Sequence, residues 1–474
     1  MAGLGRSAGV SAPMLTYVNI GIEQGPGRWP RLRAAALSAN PASNARGERM
    51  STLPQPPLAR ILLASLVGTT IEFYDFYIYG TAAALVLGAL FFPHSAPQTQ
   101  RLAAFLTFGI AFLARPVGSM IFGHFGDRVG RKATLIASML VMGGSTTLIG
   151  LLPGYATLGL AAPWLLCLLR FGQGLGLGGE WGGAALNATE NAPGHRRAWF
   201  GMFPQLGPPI GFLLSNALFL GLIVTLGEPA FIAWAWRIPF LFSAALVLIG
   251  LYLRVSIAET PAFAAVLAER RRVAVPLATV LTRHIVPLLQ GTFAIVVCYA
   301  LFYITTVFAL SYGVGVKHIP RATFLEMLCA AALCMAVASP VAAALADRIG
   351  RRPVLIAASL LAVVIGLLLP TLLGGGQGAT LLFVCLSLAT MGFTFAPLGA
   401  LLPELFPAEV AYTGASVAYS LGGILGASLA PSLAQTLLQW GGLAYVGYYI
   451  VAAALLSLVS LLTVRETRRA QTPR

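Results

Sequence analysis

Charge is what this chain has least of. Of its 474 residues, 9% are charged and 58% are hydrophobic, whereas an ordinary soluble domain carries about 25% charged residues. That deficit excludes a water-soluble globule and points to an integral membrane protein. Acids are scarcer than bases, 15 Asp and Glu against 30 Lys and Arg, so every acid inside an apolar run needs a reason. The five cysteines, Cys167, Cys298, Cys329, Cys334 and Cys385, all sit in apolar runs. They have neither metal-ligand spacing nor loop positions, which excludes a disulfide framework and reads as small core residues. His94, His124, His195, His284 and His318 are scattered over helix ends and loops, so no metal site is expected. No cofactor is expected either: Gly174-x-Gly176-x-x-Gly179 matches a dinucleotide fingerprint in letters only, because no strand precedes it. With no Ser/His pair, metal cluster or phosphate loop inside the apolar runs, intramembrane catalysis has no candidate, and the chain is not read as an enzyme.

What the chain has is apolar length. Runs fall near 58–90, 102–124, 133–152, 161–186, 199–226, 235–257, 284–312, 322–345, 353–373, 379–402, 413–438 and 442–464. Since about 20 residues span a bilayer, these predict twelve transmembrane helices in an all-α membrane protein. The expected organisation is a disordered cytoplasmic N-terminal segment (1–57), a six-helix half (58–257), a cytoplasmic linker (258–283), a second six-helix half (284–464) and a cytoplasmic tail (465–474). Residues 1–49 are rich in Ala, Gly, Pro, Ser and Arg and hold no signal-peptide core. Met50 is an alternative start of translation.

Charge placement sets the expected orientation. The formal charge of +15 invites a nucleic-acid reading, but all except six of the 30 Lys and Arg lie in the tails, at the end of the sixth run or in the even-numbered loops. Arg101, Arg237, Lys317 and Arg321 lie toward the opposite side, and Arg115 and Arg170 lie inside runs. The positive-inside rule then places both termini in the cytoplasm of a multi-pass cell-membrane protein, and the basic balance is a topology signal with no nucleic-acid partner.

The halves repeat. Gly123-His-Phe-Gly-Asp127-Arg128-Val-Gly130-Arg131-Lys132 returns as Ala343-Ala-Leu-Ala-Asp347-Arg348-Ile-Gly350-Arg351-Arg352, 220 positions later. Glu190-Asn-Ala-Pro193 returns as Glu404-Leu-Phe-Pro407 after 214, and Glu259-Thr260 as Glu466-Thr467 after 207. Parallel repeats of this kind place a solute site near the midplane between the halves. The loop motifs are suited to a cytoplasmic gate. Asp127 is placed to cap a neighbouring helix N-terminus, and Arg128, Arg131 and Lys132 to pair with acids such as Glu190, contacts that lock one conformation and break in the other.

Within the first run, Glu72 and Asp75 in Gly68-Thr-Thr-Ile-Glu-Phe-Tyr-Asp-Phe-Tyr-Ile-Tyr-Gly80 lie one turn apart on one helix face. Each ionised acid costs about 2.5–3.5 kcal/mol in a spanning helix, so both are proton-coupling candidates, as is Glu180, which can equally be a gate residue paired with a loop Arg. Arg115 and Arg170 cannot shed their charge. Inside a span each needs an acid, a headgroup or an anionic solute, so both are substrate-binding candidates; pairing with Asp75 or Glu72 is the competing role for Arg115. Tyr74, Tyr77, Tyr79, Gln173, Gln205 and Asn216 are candidates to line the cavity. Gly174, Gly178 and Gly182 form a small-residue stripe for close helix packing, and the glycines and prolines of 201–211 predict a bent fifth helix.

These motifs resemble those of the major facilitator superfamily, and more narrowly of the metabolite:proton symporter family, which includes shikimate, 2-oxoglutarate, citrate and proline/betaine transporters. The likeness is carried by Gly68-Thr-Thr-Ile-Glu-Phe-Tyr-Asp-Phe76, Phe112-Leu-Ala-Arg-Pro-Val-Gly118, the Asp127 loop motif, 170–183, Phe203-Pro-Gln-Leu-Gly-Pro-Pro209, Pro403-Glu-Leu-Phe-Pro407 and Tyr412-Thr-Gly-Ala-Ser416. It covers about residues 58–470. Two positions depart from the family pattern: Ala343 opens the second loop motif in place of Gly, and Ala411 stands where many relatives carry Arg. The second departure leaves Glu404 or Glu409 without that partner. The resemblance implies a secondary transporter working by alternating access as a monomer, with a proton and a small organic acid or zwitterion as cargo. An uncoupled facilitator or exchanger of the same fold is the alternative. A non-transporting membrane sensor would need a signalling domain that the short stretch after Val464 does not offer.

Overall fold

The computed structural model describes residues 58–466 apart from 130, 179–180, 191, 257–275 and 408; within that range the side chains of 58–61, 64, 123–135, 187, 253–256 and 276 are also outside the description. The expected N-terminal segment, most of the linker, and nearly all of the tail therefore fall outside the described residues. Every regular element described is helical.

Twelve rods follow in order. They are α1 (58–91), α2 (Pro97–Val129), α3 (Arg131–Leu151), α4 (described as Ala161–Leu177 and Trp181–Glu190), α5 (Gly194–Leu226) and α6 (Ile238–Ser256). Then come α7 (Ile285–Gly315), α8 (Arg321–Ile349), α9 (Arg351–Gly374), α10 (Gln377–Glu404), α11 (411–440) and α12 (443–463). Gly441 and Gly442 break the last two apart; Gly442 takes φ +69°, a conformation that costs most side chains with a Cβ. Among the described residues, each of the twelve expected runs holds helix.

Side-chain pattern sorts the rods by depth. α3, α6, α9 and α12 present exposed leucines and other aliphatics, among them Leu140, Leu148, Leu248, Leu360, Leu367, Leu455 and Leu462. Such faces suit lipid, where apolar side chains need no cover. α1 and α7 are enclosed instead, with Phe76, Ile78, Tyr79, Ala300, Leu301 and Phe308 at 0% exposure. The scarce polar groups of the apolar runs concentrate on these enclosed rods and their neighbours. Three of them, α1, α7 and α11, carry a π-helical turn, at Ala83–Leu87, Ile304–Phe308 and Ile424–Ser428. Turns of this type often sit at functional sites in helices.

Close backbone approach fixes the first half. A Cβ at Gly174 or Gly178 would fall on the main chain of Ala111 or Arg115 in α2, and one at Gly118 on Leu175 in α4. The stripe thus lets α2 and α4 meet backbone to backbone. It also holds the residue that matters most below, Arg115, against a rigid neighbour. Gly182 faces Ser416 and Tyr412 of α11, so the same row ends at the second half. The fifth rod is interrupted where expected: its helical pieces are Arg197–Gln205 and Gly207–Leu226, meeting at Leu206, whose N–H donates to Met202 and Phe203. Pro208 and Pro209 have no N–H to continue the ladder.

The halves are tied at both ends. At the end carrying the repeated loop motif, Asp347 of α8 accepts from the N–H groups of Ala198 and Trp199 at 3.0 and 2.9 Å, capping the first turn of α5. At the opposite end, Arg321 of α8 pairs with Glu228 between α5 and α6. There too, Lys317 donates to the carbonyls of Leu373 and Gly375 and to Thr380 at 3.0 Å, closing the end of α9; partial burial pulls its ammonium below the usual lysine pKa.

Candidate functional site

Asp75 is wholly buried, and neither of its carboxyl oxygens has a hydrogen-bond partner. The polar group facing it is the Ser243 hydroxyl of α6. Glu72, one turn earlier, is 4% exposed. The carboxyl of Asp75 is not engaged by either buried arginine. Its backbone is: the Asp75 carbonyl accepts from Gln173 Nε2 at 2.6 Å.

That bond belongs to a network that engages both terminal nitrogens of Arg170 and leaves its Nε unpartnered. Gln173, one turn along α4, accepts from Arg170 and donates to Thr146 of α3 at 2.8 Å. A second Arg170 nitrogen donates to the Phe108 carbonyl of α2 at 3.0 Å, and its guanidinium lies 3.8 Å from the Tyr79 ring centroid. Tyr79 is held in turn by Thr107 at 2.6 Å. Arg170 and Gln173 therefore stitch α1, α2, α3 and α4 together.

Arg115 differs. It is 2% exposed, yet its Nε and Nη1 have no hydrogen-bond partner. No ion pair to it is formed among the described residues. Its guanidinium lies over aromatic faces instead, 4.6 Å from the Phe76 centroid and 4.4 Å from that of Phe112. Cation–π contact of this kind contributes about 0.5–2 kcal/mol, well short of the hydrogen bonds it replaces. Although Arg115 and Arg170 come from different depths of α2 and α4, both reach the Phe76 ring.

The rings around Arg115 come from both halves. Phe112 packs on Tyr299 and Tyr303 of α7, with centroids 6.2 and 5.5 Å apart. Tyr77 of α1 lies 4.8 Å from Phe302, and Tyr299 lies 5.5 Å from Tyr419 of α11. Tyr419 stacks on Trp181 of α4, 4.0 Å apart and 9° from parallel. Trp181 donates to Gln205 of α5 at 2.9 Å, and Gln205 donates across the seam to the Phe395 carbonyl of α10 at 3.1 Å. The arrangement is an aromatic box on the seam between the halves, with one cation whose Nε and Nη1 are unspent.

Of the residues expected to line a cavity, Tyr77 and Gln205 lie on this seam and Arg115 at its centre. Tyr74 turns to the Pro239 carbonyl of α6 at 2.9 Å, and Asn216 bonds Phe212 and Thr81, both inside the first half. Glu180 lies outside the described residues. Sequence reasoning missed Trp181, Tyr299, Tyr303 and Tyr419. The four-residue spacing of Tyr299 and Tyr303 marked a helix face, but nothing in the linear order said that this face meets Arg115.

At the motif end, Gly123, Asp127, Arg128, Gly130, Arg131 and Lys132 lie outside the described side chains. Glu190 is exposed at the end of α4. The second copy is described. Arg351, 1% exposed, reaches Glu404 at 3.2 Å and Asp347 at 3.9 Å. This corrects the expectation drawn from Ala411: Glu404 has its cation, supplied by the loop motif rather than by position 411. Glu466 accepts from the N–H groups of Arg351 and Arg352 at 3.1 and 2.9 Å, so an acid caps α9 where the helix dipole favours it. Gly350, at φ +112°, packs directly on that carboxylate, where a Cβ would collide with it. Arg352 donates to the Leu461 and Leu462 carbonyls, and Arg348 sits in the last turn of α8.

Comparison with known proteins agrees with this architecture. The family described as "Sugar (and other) transporter" matches residues 61–279, and that described as "Major Facilitator Superfamily" matches 321–474. The chain is 52% identical over 415 residues to the inner membrane metabolite transport protein YhjE of Escherichia coli, covering 86% of this chain and 94% of that protein. It is 37% identical to the E. coli shikimate transporter over 434 residues (88% and 97% covered). To the proline/betaine transporter of Salmonella typhimurium it is 31% identical over 421 residues (86% and 84% covered). Among solved structures, the proton:xylose symporter XylE superposes with a TM-score of 0.68 at 17% identity, over 86% of this chain and 96% of that one.

Proposed function

Because the chain belongs to the major facilitator superfamily, among its metabolite transporters, and is not an enzyme, we propose that it couples proton entry to uptake of a small carboxylate or zwitterion. The observation that carries this reading is Arg115: a buried guanidinium with two donor positions unused, on the seam between the halves. A carboxylate is the group whose geometry matches such a fork. The two six-helix halves, taken as 58–257 and 284–464, rock about that seam, and the motif end faces the cytoplasm of the inner membrane.

Asp75 is assigned the proton and Glu72 the supporting role. Enclosing a charged carboxylate that has no hydrogen-bond partner costs several kcal/mol, and a proton removes that cost. In the proposed cycle the solute carboxylate engages Arg115 from the outer side while a proton neutralises Asp75. The loaded seam then carries no uncompensated charge and closes. Opening of the motif end, with release of the Asp347 cap, lets solute and proton leave. Arg170, already bonded, holds α1–α4 as one body through the cycle. The protein works as a monomer in this scheme.

The test is uptake in proteoliposomes under an imposed pH gradient. Asp75→Asn is expected to abolish gradient-driven accumulation while leaving exchange of internal for external solute. If Asp75→Asn vesicles still concentrate solute against its gradient, Asp75 is not the coupling site. An Arg115→Gln protein that binds solute as tightly as the parent removes the carboxylate assignment.

A further inference from the structure

Two phenols in the aromatic box have the same unmet need as Arg115. Tyr299 and Tyr419 are each 5% exposed, and neither hydroxyl is held by a group outside the pair, each facing only the other. Their rings meet edge to face with centroids 5.5 Å apart, one from α7 and one from α11. Both lie within electrostatic reach of the Arg115 guanidinium. Two neighbouring tyrosines are spent, Tyr74 on Pro239 and Tyr79 on Thr107. Buried hydroxyls are normally satisfied. A pair left open beside an open guanidinium, at the junction of two halves that part and rejoin, is a set of ligand contacts waiting for oxygen atoms.

We propose that Tyr299 and Tyr419 are specificity-determining residues that read hydroxyl or keto oxygens on a monocarboxylate held by Arg115. The inference rests on the carboxylate reading of Arg115 given above. The chemistry narrows the class from two sides. Of the two buried arginines described in the first half, Arg170 spends both terminal nitrogens on Gln173 and Phe108, so among the described residues Arg115 is the guanidinium left with a terminal nitrogen for solute, and a di- or tricarboxylate would bring charge that it does not meet. The remaining walls described are the rings of Phe76 and Phe112 and the third phenol, Tyr303, which cover a compact carbon body. A methylated ammonium gives the phenols nothing to bond, whereas a hydroxylated body pairs with both. A site built with polar groups discriminates strongly against an analogue that leaves them unpaired.

The experiment is equilibrium binding to the purified full chain in detergent, using matched pairs that share a carboxylate: lactate with propionate, and shikimate with cyclohexenecarboxylate. Glycine betaine serves as a carboxylate without a hydroxyl, and citrate as a tricarboxylate. At least one hydroxylated member is expected to bind about tenfold or more tighter than its partner, the ratio for one net hydrogen bond of the stronger kind. In Tyr299→Phe and Tyr419→Phe that ratio falls to about threefold or less, with the affinity of the unhydroxylated member unchanged. Equal affinity within both pairs in the parent protein overturns the proposal, as does a ratio that survives in both Phe variants, or citrate binding as tightly as the monocarboxylates. If no member binds, or if Arg115→Gln binds all of them like the parent, it is the underlying carboxylate reading that fails, and this one falls with it.

Discussion

Arg115 and Arg351 are buried to the same degree, 2% and 1% exposed, and their surroundings could hardly differ more. Arg351, at the motif end, has Glu404 and Asp347 within 3.9 Å and lies on a helix end capped by Glu466. Arg115, at the centre, has aromatic faces and two donors without acceptors. Burial of charge is costly in both places. At the motif end the chain itself supplies the compensation, so the charge serves structure. At the centre no such compensation is found among the described residues, which is the ground for proposing that Arg115 meets a solute. The lesson is that a buried arginine is diagnosed by its acceptors and not by its depth.

Four substitutions test that contrast, the largest effect first. Arg351→Ala removes the cation that Glu404 and Asp347 share, both of them half-buried. It is expected to lower stability by about 3–5 kcal/mol, read as a fall in the thermal midpoint of purified protein, with solute affinity unaltered in whatever remains folded. Arg115→Gln should do the reverse: solute affinity falls about 100-fold, the loss of a charge-assisted contact, while the thermal midpoint in the absence of solute stays level or rises. A midpoint that drops as far as in Arg351→Ala would place Arg115 with the structural charges. Asp75→Asn is expected to reduce the accumulation ratio set by one pH unit from about tenfold to one, because one proton per solute is worth about 1.4 kcal/mol per unit. Preserved accumulation sends the coupling role to Glu72. The smallest effect belongs to Asp347→Asn, which weakens the α5 cap by about 1 kcal/mol. It should raise the rate at which a cysteine placed at Ala198 reacts with a thiol reagent; an unchanged rate would mean that the cap does not hold the motif end closed.

Much of this was legible in advance, and for one reason. The twelve rods follow from apolar length, since a bilayer allows few other spanning structures and each must be about 20 residues long. The repeat announced itself through the Asp347 motif, and the Gly174–Gly178 stripe announced close helix packing because only glycine permits backbone contact. The seam was less legible. Which of two intramembrane arginines has its terminal nitrogens bonded depends on Gln173 and Phe108 standing where they do, and Phe108 is 62 residues from Arg170 in the chain. Position 411 carries no cation for Glu404; that cation comes from Arg351, 53 residues earlier, a distance no local pattern spans.

The sequence by itself determined the class, the number of rods and the identity of the buried ionisable groups, because those depend on local composition measured against the thickness and polarity of a membrane. Only the tertiary structure decided what each of those groups touches. Arg115, Tyr299 and Tyr419 come from three rods of two halves, and their open hydrogen-bonding positions are a property of how those rods meet. Opposite helices share no local signal, so the aromatic box is written in packing rather than in any stretch of the chain.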